Sequence, residues 1–218
     1  MTDVWSSRAD AYRASPNHAS DPDLDLVVEV CEPRAGKKIL DVAAGGGHVT
    51  RRLRERGAEV VSLDPSPGMS ADVLAPAEHI PFADGSFDCV VTRIAPHHFA
   101  AIGDAIGEMA RVANAVLVIE DTLYMSEEHE EAEKLRDPSH VRSYSEDEWR
   151  DMLVSAGLEI ERVEYFEKTH QTDEWLARTD CTGENAERVR ELLAPLSADG
   201  GRTWRDTKLI LKARKAQA

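Results

Sequence analysis

Two carboxylates and a run of glycines are the groups in this chain whose types and spacing could do chemistry. Ile39 and Leu40 lead into Asp41, and after Val42-Ala43-Ala44 the glycines Gly45-Gly46-Gly47 open onto His48-Val49-Thr50. An apolar run ending in an acid, then glycines, then a helical pattern reads as strand, tight turn and helix N-terminus. Gly45 and Gly47 tolerate positive φ and carry no Cβ, so a ligand can lie against their backbone, faced by the N–H groups of the first helical turn. Asp64 closes a second apolar run, Ala58 to Leu63, twenty-three residues after Asp41. A carboxylate in that position can accept from both hydroxyls of a ribose.

The details choose among ligands. A dinucleotide fingerprint requires G-x-G-x-x-G, but Thr50 stands where its last glycine should be, and the Gly-Lys-Ser/Thr ending of a P-loop is absent. Asp41 opposes a pyrophosphate and favours a cofactor that carries an ammonium and a sulfonium. The charge therefore points to S-adenosylmethionine, whereas Asp64 alone suits any adenosine cofactor.

The elements that must position these groups are legible from periodicity. Val49 and Leu53 give the helix after the glycines an apolar stripe, closed by Gly57. Asp88 to Thr92 and Val116 to Ile119 read as strands buried on both faces, and Ile102, Ile106, Met109 and Val112 fall at helical spacing between them. Ser145 to Glu148 is a capping box that starts a helix with Trp149, Met152 and Leu153 on its buried face. Strands are expected at Leu158 to Phe166 and Thr207 to Ala213, with helices at Asp173 to Arg178 and Ala186 to Leu193 between them. Two short helices, Val4 to Tyr12 and Asp23 to Cys31, precede the first strand. This alternation indicates an α/β fold on a parallel sheet.

The whole chain sets bounds. With 218 residues and 42% hydrophobic content it can build one sizeable core. Its 26 basic against 41 acidic residues give a net charge of −15, which argues against nucleic acid as a partner. Cys31, Cys89 and Cys181 are odd in number and widely spaced, so neither a disulfide framework nor a metal cluster is expected. His129 lies among Glu127, Glu128, Glu130 and Glu131 without a second histidine at ligand spacing; it reads as part of a solvated helix face, and no metal is assigned. There is no signal-peptide core and no apolar run near membrane-spanning length, so the expectation is a cytoplasmic protein without a membrane span.

Taken together, Leu40 to Val49, Asp64-Pro65-Ser66-Pro67-Gly68-Met69, Ala77 to Asp88, His97-His98-Phe99, Glu108 to Val112 and Leu135 to Arg142 resemble the class I S-adenosylmethionine-dependent methyltransferases, in particular the UbiE-like, type 11 family. The resemblance implies a Rossmann-like three-layer sandwich with a mostly parallel seven-stranded sheet and an antiparallel last strand. It implies one domain over residues 1–218, with an N-terminal lid at about 1–35 and an embedded cap at about 122–145. Carried over onto matching positions, it implies cofactor contacts at Asp41, Ala43, Gly45, Gly47, Asp64, Pro65, Met69, Ala77 and Glu78. The lid and cap contribute Tyr12, His18, His140 and Tyr144 around the acceptor. In the implied strand order, His97 and His98 follow the fourth strand where an acceptor would meet the methyl group, and at least one of them is expected to act as a base or orienter.

Three departures from the family are visible. Ala43 replaces the first glycine of the turn. The segment between Met69 and Ala77 is short, so the helix after the second strand should be reduced to a turn. Pro76 replaces an acid that would accept from the adenine amino group, a contact Asp72 could supply instead.

The expected activity is methyl transfer from S-adenosylmethionine to oxygen, carbon or nitrogen of a small-molecule acceptor. The alternatives are a cofactor-binding regulator without turnover and an NAD-dependent oxidoreductase or epimerase. A homodimer is left open.

Overall fold

A computed structural model of the chain describes residues 5–6 and 22–216. Seven strands form one sheet: β1 (Lys38–Val42), β2 (Glu59–Asp64), β3 (Val73–Leu74), β4 (Phe87–Arg93), β5 (Ala113–Thr122), β6 (Leu158–Gln171) and β7 (Thr203–Lys215). Their order is β3-β2-β1-β4-β5-β7-β6, with β1 to β5 parallel and β7 antiparallel to both of its neighbours. Strand order reverses between β1 and β4, and the glycine turn leaves β1 at that point.

The central stretches of the parallel strands are apolar because both of their faces are covered. Leu40, Val42, Val90, Leu117 and Ile119 face α3 (Ile102–Val112) and α5 (Glu146–Ser155), meeting Ile106, Met109, Trp149 and Leu153. Ile39, Cys89, Val91, Val116 and Val118 face α1 (Pro22–Val30) and α2 (His48–Glu55), meeting Leu24, Val27, Val28, Val49 and Leu53. Each fully buried aliphatic side chain contributes roughly 1.5–3 kcal/mol relative to exposure. The expected capping box is present: Ser145 accepts from the Glu148 backbone, and the Glu148 side chain accepts in return.

Several expectations are revised. The helix after β2 is a single 3-10 turn, Pro67–Met69, as its length implied, but it is followed by the two-residue strand β3, too short to show a period. β6 and β7 run several residues past their expected ends, pairing from Leu158↔Lys215 to Gln171↔Thr203. Their outer halves are a polar two-stranded extension that carries α6 (Thr172–Ala177) and α7 (Gly183–Leu193). These helices close a third core with α4 (Glu127–Arg136), in which Ala132 meets Trp175, Val189, Leu193 and Trp204. Chain well beyond 122–145 thus packs with that segment. His129, expected on a solvated face, is completely buried beside Trp204, with ring centroids 5.1 Å apart. A helix rich in charge was read as solvated, yet α4 packs under α7 and turns His129, Glu130 and Glu133 inward.

Candidate functional site

Three residues of the turn after β1 adopt left-handed backbone: Ala43 at φ 54°, Gly45 at 50° and Gly47 at 72°. An L-residue in that region costs roughly 1–2 kcal/mol, which Ala43 bears and the glycines avoid. The space over the turn is open. A Cβ on Gly47 would meet no atom within 4 Å, and one on Gly45 only the Ala43 carbonyl oxygen at 4.0 Å. This is the cradle that a cofactor lying on the backbone requires.

The two strand-end acids fasten the cradle. Asp64 accepts from the Gly45 N–H at 2.9 Å and from the Ser66 N–H at 2.9 Å, so one carboxylate ties the turns after β1 and β2 together. Asp41 accepts from the Thr50 N–H at 2.9 Å and the Thr50 hydroxyl at 2.6 Å. That corrects the expectation for the first turn of α2: one of its N–H groups is turned to Asp41, which caps the helix from the preceding strand. Burial pushes the Asp41 carboxyl up to about 7 against the pull of Thr50.

Beyond β2, Pro65 is exposed while Met69 and Ala77 are buried along the edge of the cleft. Glu78 accepts from the N–H groups of Ala100 and Ala101 at 2.9 and 3.3 Å, fastening the loop that leads into α3. Asp72, the acid that could replace the one lost at Pro76, is anchored through Oδ2, which accepts from the Ser62 N–H and hydroxyl, each at 2.8 Å, and from Arg54 at 2.6 Å.

The histidines follow β4 on a 3-10 turn, Pro96–His98. His97 is buried, with Nδ1 2.6 Å from Asp121 Oδ1, and its backbone N–H donates to Asp121 Oδ2 at 2.8 Å. Burial opposes the charged ring, but the Asp121 carboxylate outweighs it and holds the His97 pKa above its ordinary value. His98 lies against it, ring centroids 4.1 Å apart, and its Nδ1 is 3.1 Å from the Ser139 carbonyl oxygen. Burial first, and then the charge of His97, drive the His98 pKa well below that of a free histidine. The pair is pulled apart, with one ring biased to imidazolium and the other kept neutral.

With this geometry in view, the comparisons with known proteins decide the family. The family described as a methyltransferase domain matches residues 40–115, from β1 into β5. The uncharacterized methyltransferase YcgJ of Bacillus subtilis is 29% identical over 220 residues, covering 88% of this chain and 84% of that protein. The crystal structure of a candidate methyltransferase from Bacillus halodurans superposes with a TM-score of 0.80 at 27% identity, covering 90% of this chain and all of that one. The chain is a class I methyltransferase. At the level of fold alone, it is also similar to the phosphoethanolamine N-methyltransferase 2 of Haemonchus contortus, solved with phosphomonomethylethanolamine and S-adenosylhomocysteine. There the TM-score is 0.62 at 16% identity, with coverage of 89% and 52%.

In this methyltransferase the segment after α4 is tied to the histidine turn. The His97 carbonyl accepts from the N–H groups of Val141 and Arg142 at 2.9 and 3.2 Å, fixing the cap to the histidine turn. His140 is buried 5.3 Å from His97 by ring centroids, with Nε2 3.0 Å from Glu130 Oε1. Tyr144 is buried too, but its ring packs edge-on against Trp149 at 5.4 Å. Tyr12 and His18 lie outside the described residues. No helix among the described residues is long and apolar enough to cross a membrane.

Sequence reasoning missed Asp121, Trp5 and Ser6. Trp5 meets His98 edge-on at 4.7 Å, and Ser6 accepts from the Gly68 N–H at 2.7 Å, so this segment bridges the turns after β2 and β4. Gly68 held the only signal: a Cβ there would stand 2.5 Å from Ser6 Cα. Asp121 carried none, since an acid ending an apolar strand is unremarkable until the fold sets it beside His97.

Proposed function

We propose that this methyltransferase acts on a hydroxyl oxygen or an acidic carbon of a small organic molecule, with His98 taking the proton and His97 orienting the acceptor. The observation that carries this reading is the pair of Ser139 oxygens at His98. The Ser139 carbonyl at 3.1 Å only accepts, and the Ser139 hydroxyl at 3.3 Å gives its own proton to Asp137 at 2.6 Å, so Nδ1 of His98 carries the proton and Nε2 is left with its lone pair. A neutral imidazole fixed in that tautomer is a base, and the partner that fixes it belongs to the cap.

The residues present fit S-adenosylmethionine: an open cradle of glycine backbone, an acid for an ammonium and an acid for a ribose. Gly45 and Gly47 would lie under it, Asp64 would accept from its ribose, Asp41 would face its positive end, and Met69, Pro65 and Ala77 would flank it. When bound, it supplies a methyl group already activated on a sulfonium and leaves as S-adenosylhomocysteine. The protein holds the acceptor in line, excludes water and takes a proton at His98 Nε2. Oriented proximity alone supplies about 7–11 kcal/mol. His97, anchored through Nδ1 to Asp121, presents Nε2 as a second polar contact.

Calorimetry with S-adenosylhomocysteine and NAD, followed by transfer of labelled methyl to a panel of phenols, alcohols and amines, tests the reading. Heat with S-adenosylhomocysteine and turnover on hydroxyl acceptors are expected. NAD binding without S-adenosylhomocysteine binding would overturn it. Turnover confined to amines would remove the base from the mechanism.

A further inference from the structure

Behind the Ser139 oxygens at His98 stands a buried carboxylate. Asp137 ends α4 and is 1% exposed. A helix C-terminus carries partial negative charge, so an acid there is unfavourable unless other groups use it. Ser139 uses it twice: its hydroxyl donates to Asp137 Oδ1 at 2.6 Å, and its N–H donates to the same oxygen at 3.1 Å. Burial opposes the Asp137 charge, but the bonds from Ser139, with His98 and Arg136 behind them, outweigh it and keep the group ionised.

With its hydroxyl proton given to Asp137, Ser139 presents only acceptors to His98, the carbonyl at 3.1 Å and Oγ at 3.3 Å from Nδ1. Without that carboxylate the hydroxyl is free to donate to Nδ1, and a ring protonated on Nε2 would satisfy it as well. The buried acid therefore decides which tautomer the serine selects. It also bears on charge. A proton taken from the acceptor at Nε2 turns the His98 ring into a cation, which the Asp137 charge favours. The other groups around the ring do not help. His97 on the same turn and His140, its ring centroid 6.4 Å away, both disfavour a second positive charge, and Asp121 of β5 is engaged with His97. Trp5, edge-on at 4.7 Å, carries no charge.

From these bonds we propose that Asp137 is a positioning residue for the base. Acting through Ser139, it keeps the proton of neutral His98 on Nδ1 and supplies the negative charge that offsets the ring's once Nε2 is protonated. The serine here is a bridge between an acid and a histidine rather than a nucleophile. This rests on the methyl-transfer reading above, in which His98 is the base.

The test reads the ring directly, by NMR of the histidine ring nitrogens in the free and S-adenosylhomocysteine-loaded protein, with His98→Gln identifying the His98 signals. Asp137→Asn keeps an oxygen for Ser139 but no charge. Nδ1 should hold its proton in that variant while the titration midpoint of the ring falls, because an anion that favoured the cation is gone. Asp137→Ala also releases the Ser139 hydroxyl, so the Nδ1–H signature should give way to a mixture with Nε2–H. With an acceptor in hand, Asp137→Ala should lower kcat at least about tenfold, and Asp137→Asn should lie between it and wild type. A tautomer and midpoint unchanged in both variants would overturn the proposal and leave Asp137 as a residue that closes a turn. If Asp137→Ala does not fold, Asp137→Asn decides, and an unmoved midpoint refutes the role. The base reading is judged separately by His98→Ala: near-wild-type turnover there removes the base and the part of Asp137 with it. An inactive His98→Ala, with unmoved ring signals in the Asp137 variants, overturns only the role of Asp137.

Discussion

Removing the carboxylate of Asp64 separates a cofactor contact from a structural one. The side chain is 6% exposed and already accepts from the Gly45 and Ser66 N–H groups. Asp64→Ala therefore loosens both turns whatever binds there, and a fall in affinity alone proves nothing about ribose. The hydroxyls of a bound ribose would donate to the same carboxylate. Hydrogen bonds to a charged acceptor are worth about 1.5–3 kcal/mol, which corresponds to a loss of about ten- to a hundredfold in S-adenosylhomocysteine affinity. The 2′,3′-dideoxy analogue supplies the other arm of a double-mutant cycle. If Asp64 holds the ribose, the variant and wild type should differ far less for the analogue than for S-adenosylhomocysteine, with a coupling of at least about 1 kcal/mol by calorimetry. Equal losses for the two ligands would show that Asp64 only ties the turns together.

Gly47→Ala meets no atom, so it should fold with a strain of roughly 1–2 kcal/mol, seen as a drop of a few degrees in melting temperature. Its S-adenosylhomocysteine affinity should nevertheless fall at least tenfold, and an unchanged affinity would remove this backbone from the cofactor site. For the histidine pair, His98→Ala should lower kcat by about 10²–10⁴-fold. Because the His98 pKa lies below that of a free histidine, the acidic limb of wild type should fall below pH 6.5; His97→Gln removes the neighbouring charge and should move that limb upward. A limb that stays in place would break the assignment of roles. The Asp41 carboxyl titrates at about 7 in the folded chain, against 3.8 ordinarily, so the folded state holds its proton more tightly than the unfolded one. Stability should then decline as pH rises from about 4 through about 7, by ~4 kcal/mol at most, and melting curves of Asp41→Asn should lack that decline. Amide exchange across Leu135 to Tyr144 should slow when S-adenosylhomocysteine and an acceptor are both present, and identical exchange with and without them would count against cap closure.

Most of the fold was legible because its signals are local. Strand β1 is apolar up to an acid, the turn needs residues that accept positive φ, and α2 carries its stripe at helical spacing; each depends on a few neighbouring side chains. The same holds for the capping box at Ser145. The outer halves of β6 and β7 were not legible, because Glu167, Lys168 and Thr169 have no apolar alternation, and their strand conformation comes from pairing with Asp206 and its neighbours more than thirty residues away. Likewise α4 has the composition of a solvated helix, and only the helices α6 and α7 packed over it turn three of its polar residues inward.

The candidate site divides along the same line. The sequence by itself determined where Asp41, Gly45, Gly47 and Asp64, the residues proposed to hold the cofactor, would stand, since their places follow from backbone conformation and strand ends, which spacing reveals. It also brought His97 and His98 forward as a pair with no means of telling them apart. That distinction belongs to tertiary structure. Asp121, twenty-four residues downstream of His97, biases that ring to imidazolium, burial and the charge of His97 keep His98 neutral, and Ser139 and Trp5 reach His98 from distant parts of the chain. A histidine's pKa depends on burial and on charges within a few ångströms, and those neighbours are assembled by the fold rather than by adjacency in the chain.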